Sequence, residues 1–310
     1  MKKYLLPLIS LLALSACDNN DADEQGNSFD RSALLRQASQ ELILPTYQNF
    51  DQKINQLQTK IEVLEEAPSG NSLQEAQEAW VDAKIAWKNA EPFNFGPAED
   101  LLLVNAIDLW PIDKDGIENA IASYKGQKDY LARQGSNKKG LAAMEYLLFE
   151  KEESEVLKSL QGDKQRRAYL SLLSTDLKKN AEAITQKWTE SYQSKFIADA
   201  SNRAQSSTTL LVNELLYLCD NMIRFKVGYP AGLLTMSKPQ AEQVEAYYSG
   251  ISKECLNANL ASMKKAFTGG DGQGFDDYLD ALNIETEGEE ALSQVIISQF
   301  DRCQRGIDTL

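Results

Sequence analysis

Large apolar residues recur every three or four positions through almost the whole chain, and this spacing constrains the fold more than any other feature. The pattern is typical of helices with one apolar face, and the alternation expected of strands is absent. We therefore expect an all-α protein made of antiparallel helical bundles. The clearest stripes are Tyr47, Phe50, Ile54, Leu57, Ile61 and Leu64; Leu73, Ala76, Trp80, Ala83 and Trp87; Val244, Tyr248, Ile251 and Cys255; and Leu292, Ile296, Phe300, Cys303 and Ile307.

Changes in composition divide the chain into four parts. A charged segment with few apolar residues, 150–162, predicts a boundary between a first helical bundle at 30–155 and a second at 156–310. Ahead of the bundles, residues 18–29 are polar and acidic, which predicts a flexible tether. Residues 1–17 are expected to be a lipoprotein signal that ends at the lipidated cysteine.

The N-terminus has the features of a bacterial lipoprotein signal. Two lysines precede an apolar stretch that is too short to span a bilayer, and the run Leu-Ser-Ala-Cys at 14–17 fits the lipobox. Acylation of Cys17 would attach the protein to a membrane through lipid alone. We expect a location at the periplasmic face of the cell envelope, and Asp18 favours the inner membrane. The alternative is an ordinary secretory signal with a chance cysteine.

The chain contains no histidine among its 310 residues. This absence excludes Ser-His-Asp and Cys-His nucleophile systems, histidine-ligated zinc and a histidine general base. The chain carries 32 basic against 46 acidic side chains, a formal net charge of −14. Nucleic acid is excluded as a partner as well, because phosphate binding needs clustered Lys and Arg.

Short segments spread along the chain carry a family resemblance. They are Leu44-Pro45-x-Tyr47; Ala79-Trp80 and Trp87, leading into Phe95-Gly96-Pro97; Ile107-Asp108-x-Trp110-Pro111; Gly140 to Phe149; Arg166 to Leu170; Lys226 to Pro230; and Tyr248 to Ser252. Taken in this order, they resemble the imelysin-like family of bacterial envelope proteins. The resemblance runs from about residue 40 to the C-terminus, and it is the ordered set that is specific.

The resemblance implies two helical bundles packed side by side, with a functional site between them. The hallmark of the family is Gly-x-His-x-x-Glu. Some members were filed as metallopeptidases because of it, and others are linked to iron uptake. In this sequence Gly140 and Glu145 match the hallmark, but Ala142 stands at the histidine position. With no histidine elsewhere, the His–Glu pair cannot be rebuilt from another helix.

Further residues are expected beside the hallmark segment. The resemblance places Trp110, Tyr248 and Ser249 near it, where they would line one ligand pocket. Lys226 is expected at the same pocket, from across the bundle interface. Apolar neighbours on the same helix predict that Glu145 is at least partly buried, and a buried carboxylate needs a partner or a raised pKa.

Two roles remain open for Glu145. We favour an ion pair with Lys226, Arg224 or Arg167 across the interface between the bundles. Alternatively, Glu145 binds a hard ion such as Fe³⁺ or Ca²⁺ through oxygen, together with acidic groups of the segment 91–108. Zinc is disfavoured, because carboxylates alone suit it poorly.

These observations favour a non-catalytic protein. We expect a membrane-anchored, imelysin-like lipoprotein that captures a ligand or serves as an accessory component of an envelope system for the uptake of iron or another metal. Its partners would then be the membrane, through the lipid, and envelope iron-uptake proteins. The alternatives are a metallopeptidase with an unorthodox site and a pure scaffold protein.

Three cysteines remain beyond the lipobox. Cys219 is expected to be a buried thiol within an apolar run. Cys255 and Cys303 lie on the apolar stripes of the last two long helices, so they are candidates for a disulfide across one bundle. The alternative is two buried thiols in a shared core.

Overall fold

The computed structural model describes residues 29–201 and 203–310. Over these residues the chain is helical, with no strand beyond an isolated bridge between Glu285 and Ala291, and the predicted all-α class is confirmed. The α-helices of the described residues are α1 (Arg31–Gln37), α2 (Leu44–Glu66), α3 (Gly70–Ala90), α4 (Pro97–Asp100), α5 (Val104–Ile107), α6 (Lys114–Ser123), α7 (Gly140–Phe149), α8 (Glu153–Gly162), α9 (Lys164–Lys187), α10 (Gln193–Ala198), α11 (Ser207–Asn221), α12 (Ser252–Thr268), α13 (Phe275–Ala281) and α14 (Leu292–Asp308).

The first half of the molecule is built around three long helices, α2, α3 and α9. The apolar stripe predicted for α2, from Tyr47 to Leu64, is completely buried, and α2 packs against both α3 and α9. A hydrogen bond then fixes a shorter helix in place: Nε1 of Trp80 in α3 donates to the carbonyl oxygen of Leu141 at 2.9 Å. This bond holds the first turn of α7 against α3.

The second half contains α11, α12, α13 and α14. Helix α12 packs against α13 and α14, and its C-terminal Gly269 adopts the left-handed conformation that commonly ends a helix. Helix α12 also packs against α3, so these two helices join the halves. A small separate core lies among α11, α12 and α14 and comprises Leu218, Met222, Leu256, Leu260, Met263 and Ile307.

The packing of α8 and α9 differs from the predicted division after residue 155. Both helices contact the first half, α8 through α3 and α7, and α9 through α2 and α7. The reason lies in their apolar residues: Val156 and Leu160 of α8 and Leu173 of α9 are buried in the main core. The charged segment 150–162 is a surface feature of the first half.

One predicted helical stripe is largely irregular in the structure. Val244, Tyr248, Ile251 and Cys255 have helical spacing, but α12 begins only at Ser252. In the segment that precedes α12, Ala246 (φ 55°) and Gly250 (φ 72°) adopt left-handed backbone conformations that an α-helix does not contain. The segment 244–251 therefore forms turns, and these turns contribute to the site described below.

The predicted cysteine arrangement is wrong. Cys219, Cys255 and Cys303 are all free thiols; Cys255 is buried, whereas Cys219 and Cys303 are exposed. Cys255 packs in the main core, while Cys303 lies on the solvent side of α14. A disulfide between them would require two thiols that face each other.

The predicted lipoprotein signal, Cys17 and most of the tether lie outside the described residues. Within the residues that are described, no helix is long and apolar enough to cross a membrane.

Candidate functional site

Two lysines of α3 point into the protein core. Lys84 and Lys88 are one helical turn apart and share the buried face of the helix with Trp80 and Trp87. Neither lysine exposes any of its surface to solvent. A buried ammonium group needs opposite charge close by, because an unpaired charge in the core is strongly destabilising.

Three carboxylates supply that charge. Asp108 lies directly after α5, and its two oxygens accept hydrogen bonds from Nζ of Lys84 at 2.8 and 2.6 Å. Nζ of Lys88 lies 2.7 Å from Oδ2 of Asp108 and 2.6 Å from Oε1 of Glu91, the residue that follows α3. Glu245 contributes Oε1, which is 3.2 Å from Nζ of Lys84 and also contacts Lys88.

A third lysine enters from the second half of the molecule. Lys226 lies in a π-helical turn after α11, and its Nζ is 2.8 Å from Oε2 of Glu91 and 3.0 Å from Oε2 of Glu245. Asn259 of α12 accepts from Lys226 at 2.6 Å and donates to Glu91 at 2.8 Å. The group is named the ion cluster below and comprises Lys84, Lys88, Lys226, Glu91, Asp108 and Glu245.

The ion cluster is electrically balanced, with three ammonium groups against three carboxylates. Burial opposes the ionisation of Asp108, but Lys84 and Lys88 hold its pKa below the usual value. Burial opposes the ionisation of Glu245 as well, and the three lysines hold its pKa well below the usual value. The carboxylates in turn outweigh the burial of Lys84 and Lys88 and raise their pKa values. These four groups therefore remain charged at neutral pH.

Glu145 lies beside the ion cluster but takes no part in its pairing. The residue is 4% exposed, and its Oε1 accepts hydrogen bonds from the backbone N–H and the hydroxyl of Ser249, both at 2.8 Å. No donor among residues 29–201 and 203–310 lies within hydrogen-bond distance of the second oxygen, Oε2. Burial raises the pKa of Glu145, and the charge of Lys84 with the two Ser249 bonds offsets only part of that effect.

Helix α7 carries Glu145 and begins at Gly140 for a steric reason. Gly140 has a φ of +76°, and a Cβ atom at this position would lie 2.4 Å from the carbonyl oxygen of Ile107. Glycine therefore lets α7 start directly against the end of α5. Ala142 and Glu145 then follow three residues apart, so they share one face of the helix and both line the same cavity.

A cavity of about 290 Å³ opens beside Ala142 and Glu145. Trp110, Tyr247 and Tyr248 give it aromatic walls. Nζ of Lys226 lies 5.5 Å from the centre of the Trp110 ring, so this ring contacts the ion cluster as well as the cavity. The cavity is named the Glu145 pocket below; its other lining residues are Pro111, Ile112, Lys114, Glu242, Gln243, Val244 and Ala246.

The residues that the sequence analysis selected lie close together in the structure. Ala142, Glu145, Trp110 and Tyr248 line the Glu145 pocket, and Ser249 holds the Glu145 carboxylate. Two others have supporting positions: Lys226 lies in the ion cluster against Trp110, and Gly140 positions α7 without lining the pocket.

The charge partners predicted for Glu145 are wrong. Lys226 is paired within the ion cluster, and Arg224 forms an exposed ion pair at 2.7 Å with Asp220, which lies at the end of α11. Arg167 donates to backbone carbonyl oxygens, among them that of Glu65 at 3.0 Å. Glu145 instead binds the turn at Ser249, which comes within reach because the chain does not continue as a helix through 244–251.

Four residues in and beside the ion cluster could not be selected from the family resemblance, namely Lys84, Lys88, Glu245 and Asn259, and neither could Lys114, Glu242 and Tyr247 of the pocket wall. One signal was available for the two lysines, which stand four residues apart on a helix face that is otherwise apolar: Lys84 lies between Trp80 and Trp87, and Lys88 directly follows Trp87. A charged pair on a buried helix face predicts buried partners. No comparable local signal marks Glu245, which lies in an irregular segment far along the chain.

Comparison with known proteins shows to which family a chain with this architecture belongs. The family model of imelysin, named as a peptidase family, matches residues 43–310, which is most of the chain. The chain belongs to the imelysin family. The resemblance that the ordered segments of the sequence carried is therefore confirmed.

Individual relatives agree with this membership. Iron-regulated protein A of Synechococcus elongatus is 26% identical over 227 residues, and the match covers 70% of this chain but only 58% of that relative. The crystal structure of an iron-regulated protein A precursor from Parabacteroides distasonis has a TM-score of 0.74 at 20% identity and covers 90% of this chain and 84% of its own. An imelysin-like protein from Psychrobacter arcticum has a TM-score of 0.71 at 21% identity, with the same coverage. At these identities, the two structures establish a shared fold.

The residues of the site do not fit the metal ion that the peptidase name of the family suggests. Among the described residues, Glu91, Asp108 and Glu245 are the set of acidic side chains whose oxygens approach one another closely enough to share an ion. Each of them already contacts lysine ammonium groups, and a metal cation would have to displace these. Glu145 does not belong to that set.

Proposed function

We propose that this imelysin-family protein is a lipid-anchored, non-catalytic ligand-binding component of the cell envelope that works in an iron-related system. The Glu145 pocket carries the proposal. It combines a buried carboxylate, fixed through one oxygen, with aromatic walls and room for a small molecule, and these features are typical of ligand sites. The link to iron is supported by the relatives, two of which are named as iron-regulated protein A.

The envelope location follows from the predicted signal. A lipobox at 14–17 would place a lipid on Cys17. The chain from there to α1 would then connect the helical body to the membrane, with the inner membrane favoured by Asp18. Envelope proteins of iron uptake are the partners that this arrangement suggests.

The chemistry of the site supports binding over catalysis. A peptidase needs a general base or an activated water. The carboxylates of the ion cluster raise the pKa values of Lys84 and Lys88, so these ammonium groups do not give up a proton at neutral pH. The chain has no histidine to take that role.

Growth under iron limitation tests this function. A strain that lacks the gene, grown with an iron chelator, is complemented with wild-type protein, with Ala142→Leu or with Ala281→Leu. Leucine at position 142 adds three carbon atoms to the wall of the Glu145 pocket. Position 281 is an exposed alanine at the end of α13, where the same change fills nothing.

We expect wild type and Ala281→Leu to restore growth and Ala142→Leu to fail, with equal amounts of folded protein in all three strains. Full restoration by Ala142→Leu would show that the pocket is not the working site. If the deletion strain grows normally under iron limitation, the iron-related role is wrong.

A peptidase assay tests the alternative. Purified protein is incubated with unfolded casein and Zn²⁺, Mn²⁺ or Fe²⁺, with Glu145→Gln as the matched variant. We expect no cleavage that depends on Glu145. Metal-dependent cleavage that is lost in Glu145→Gln would favour the peptidase.

A further inference from the structure

We propose that the Glu145 pocket binds a small organic cation, whose ammonium or guanidinium group pairs with Oε2 of Glu145 while its apolar body packs against the aromatic wall. This inference rests on the proposed function and names the ligand class of the same site. Four observations lead to it: the balance of charge, the free carboxylate oxygen, the size of the cavity and its lining.

The charges around the pocket leave one carboxylate uncompensated. The ion cluster sums to zero, because three ammonium groups and three carboxylates are joined by ion pairs of 3.2 Å or less. Glu145 lies outside these pairs, and both of its hydrogen bonds come from the uncharged donors of Ser249. Among the described residues, this carboxylate, which is 4% exposed, therefore forms no ion pair, and a buried negative charge without a paired cation is costly.

The two other charged residues of the pocket offset each other. Lys114 and Glu242 both line it, and Nζ of Lys114 lies 5.1 Å from the centre of the Tyr248 ring. A hydrogen bond to Tyr248 and the charge of Glu242 are among the causes that raise the pKa of Lys114. Lys114 therefore remains a cation, and one lysine against the two carboxylates of Glu145 and Glu242 leaves the pocket lining with one surplus negative charge.

The carboxylate of Glu145 is oriented before any ligand binds. Ser249 fixes Oε1 through two bonds of 2.8 Å, which sets the orientation of the carboxylate before any ligand arrives. Among the described residues Oε2 has no donor, and Glu145 lines the cavity. Binding would therefore cost little side-chain entropy, which is the benefit of a preorganised site.

Size and lining restrict the ligand further. A cavity of about 290 Å³ lies just below the range of roughly 300–1,000 Å³ for ligand pockets, so it suits a single ring or a short chain and excludes a large chelate. Trp110 and Tyr247 offer flat apolar surface, and aromatic faces also attract cations.

An organic cation suits this carboxylate better than a metal ion does. A hard metal ion takes roughly six oxygen ligands, whereas Glu145 and Glu242 are the carboxylates that line the pocket. One ammonium or guanidinium group, in contrast, forms a complete charge-assisted hydrogen bond with one carboxylate oxygen. The ligand class follows from this difference.

Three probes of the same shape test the inference. Benzylamine is a cation at neutral pH, benzyl alcohol is neutral and benzoate is an anion, and each has one ring that fits the cavity. Binding to the purified full chain is measured by titration calorimetry for wild type, Glu145→Gln and Ala142→Leu, with thermal melting of each variant to show that it is folded. We expect benzylamine to bind wild type at least about tenfold more tightly than the other two probes, a difference of about 1.4 kcal/mol.

Both variants should bind benzylamine more weakly than wild type does. Glu145→Gln should lower the affinity by at least about tenfold because the charge is lost, and Ala142→Leu should lower it because the cavity is filled. The inference is overturned if benzylamine fails to bind, if benzyl alcohol or benzoate binds equally well, or if Glu145→Gln leaves the benzylamine affinity unchanged. If Glu145→Gln does not fold, an unchanged benzylamine affinity in Ala142→Leu overturns it instead. If the benzylamine titration fails in one of these ways but Ala142→Leu still does not restore growth under iron limitation, the proposed function stands and only the ligand class is rejected.

Discussion

Ser249 donates both its backbone N–H and its hydroxyl to the same oxygen of Glu145, at 2.8 Å each, across 104 residues of sequence. This pair joins α7 of the first half to the turn that precedes α12 of the second half. Glu145 lines the pocket, and its Oε2 accepts no hydrogen bond from the described residues. The site thus combines a fixed carboxylate with a neighbouring ion cluster that needs no further charge.

The pKa of Glu145 predicts how one variant changes stability with pH. Burial raises this pKa above the ordinary value of 4.5, so the folded protein holds the proton more tightly than the unfolded chain does. Between 4.5 and the raised pKa the folded state binds more protons, and the contribution of Glu145 to the free energy of unfolding falls as pH rises. Urea unfolding from pH 4 to 7 should therefore show Glu145→Gln gaining stability relative to wild type as pH increases.

Glu62→Gln, on the exposed face of α2, controls for the loss of one carboxylate. A relative loss of stability in Glu145→Gln with rising pH would contradict the assigned direction of the Glu145 shift.

Removal of one lysine from the ion cluster should be strongly destabilising. Lys88→Met leaves Glu91, Asp108 and Glu245 with less positive charge in a buried site, and breaking a buried pair in this way costs about 3–5 kcal/mol. Lys53→Met is the matched control, because Lys53 forms an ion pair with Asp82 whose side chains are 30% and 56% exposed, and such pairs contribute about 1 kcal/mol or less. Urea unfolding measures the free energy of unfolding of both variants, and an equal loss of stability in the two would contradict the role assigned to the ion cluster.

The helices of this protein could largely be predicted from sequence, because apolar spacing is a local property. The stripe from Tyr47 to Leu64 is buried as expected, and Asp163 caps α9 by accepting from the N–H groups of Gln165 and Arg166. The prediction failed at 244–251, where the apolar residues have helical spacing but the backbone is not helical. Left-handed conformations at Ala246 and Gly250 break the stripe that begins at Val244.

The site could be predicted only in part, for a related physical reason. The family resemblance selected Glu145, Trp110 and Tyr248, which do line one cavity. The pairing of charges could not be derived, since Glu245 meets Lys84 and Lys88 from more than 150 positions away in a segment without regular structure. Long-range pairing of this kind depends on how the halves dock, and local periodicity does not encode it.

Gly140 should tolerate no side chain. In Gly140→Ala the new Cβ would meet the carbonyl oxygen of Ile107 at 2.4 Å on a backbone with φ of +76°, and we expect a loss of more than about 2 kcal/mol. Gly162→Ala at the end of α8 has open space around the new methyl group and should change stability by about 1 kcal/mol or less. Thermal unfolding of the two variants compares them, and a similar melting temperature in both would contradict the steric role of Gly140.

The three thiols should differ in reactivity. Burial raises the pKa of Cys255 to about 12, and the residue is inaccessible, so iodoacetamide should not label it in the folded protein. Cys219 and Cys303 are exposed and should be labelled. Peptide mass spectrometry assigns the label to each position, before and after unfolding in urea. Rapid labelling of Cys255 in the folded state, or a disulfide-linked peptide containing Cys255 and Cys303, would contradict the structure.

The central claim is that the Glu145 pocket holds a small organic ligand beside an ion cluster whose own carboxylates are already paired with lysines. Non-denaturing mass spectrometry of protein isolated from its own cells, wild type beside Ala142→Leu, tests this claim most directly. We predict that wild type carries the added mass of a small organic molecule and that Ala142→Leu does not. Identical spectra for the two proteins, or an added mass in wild type that equals a metal ion, would contradict it.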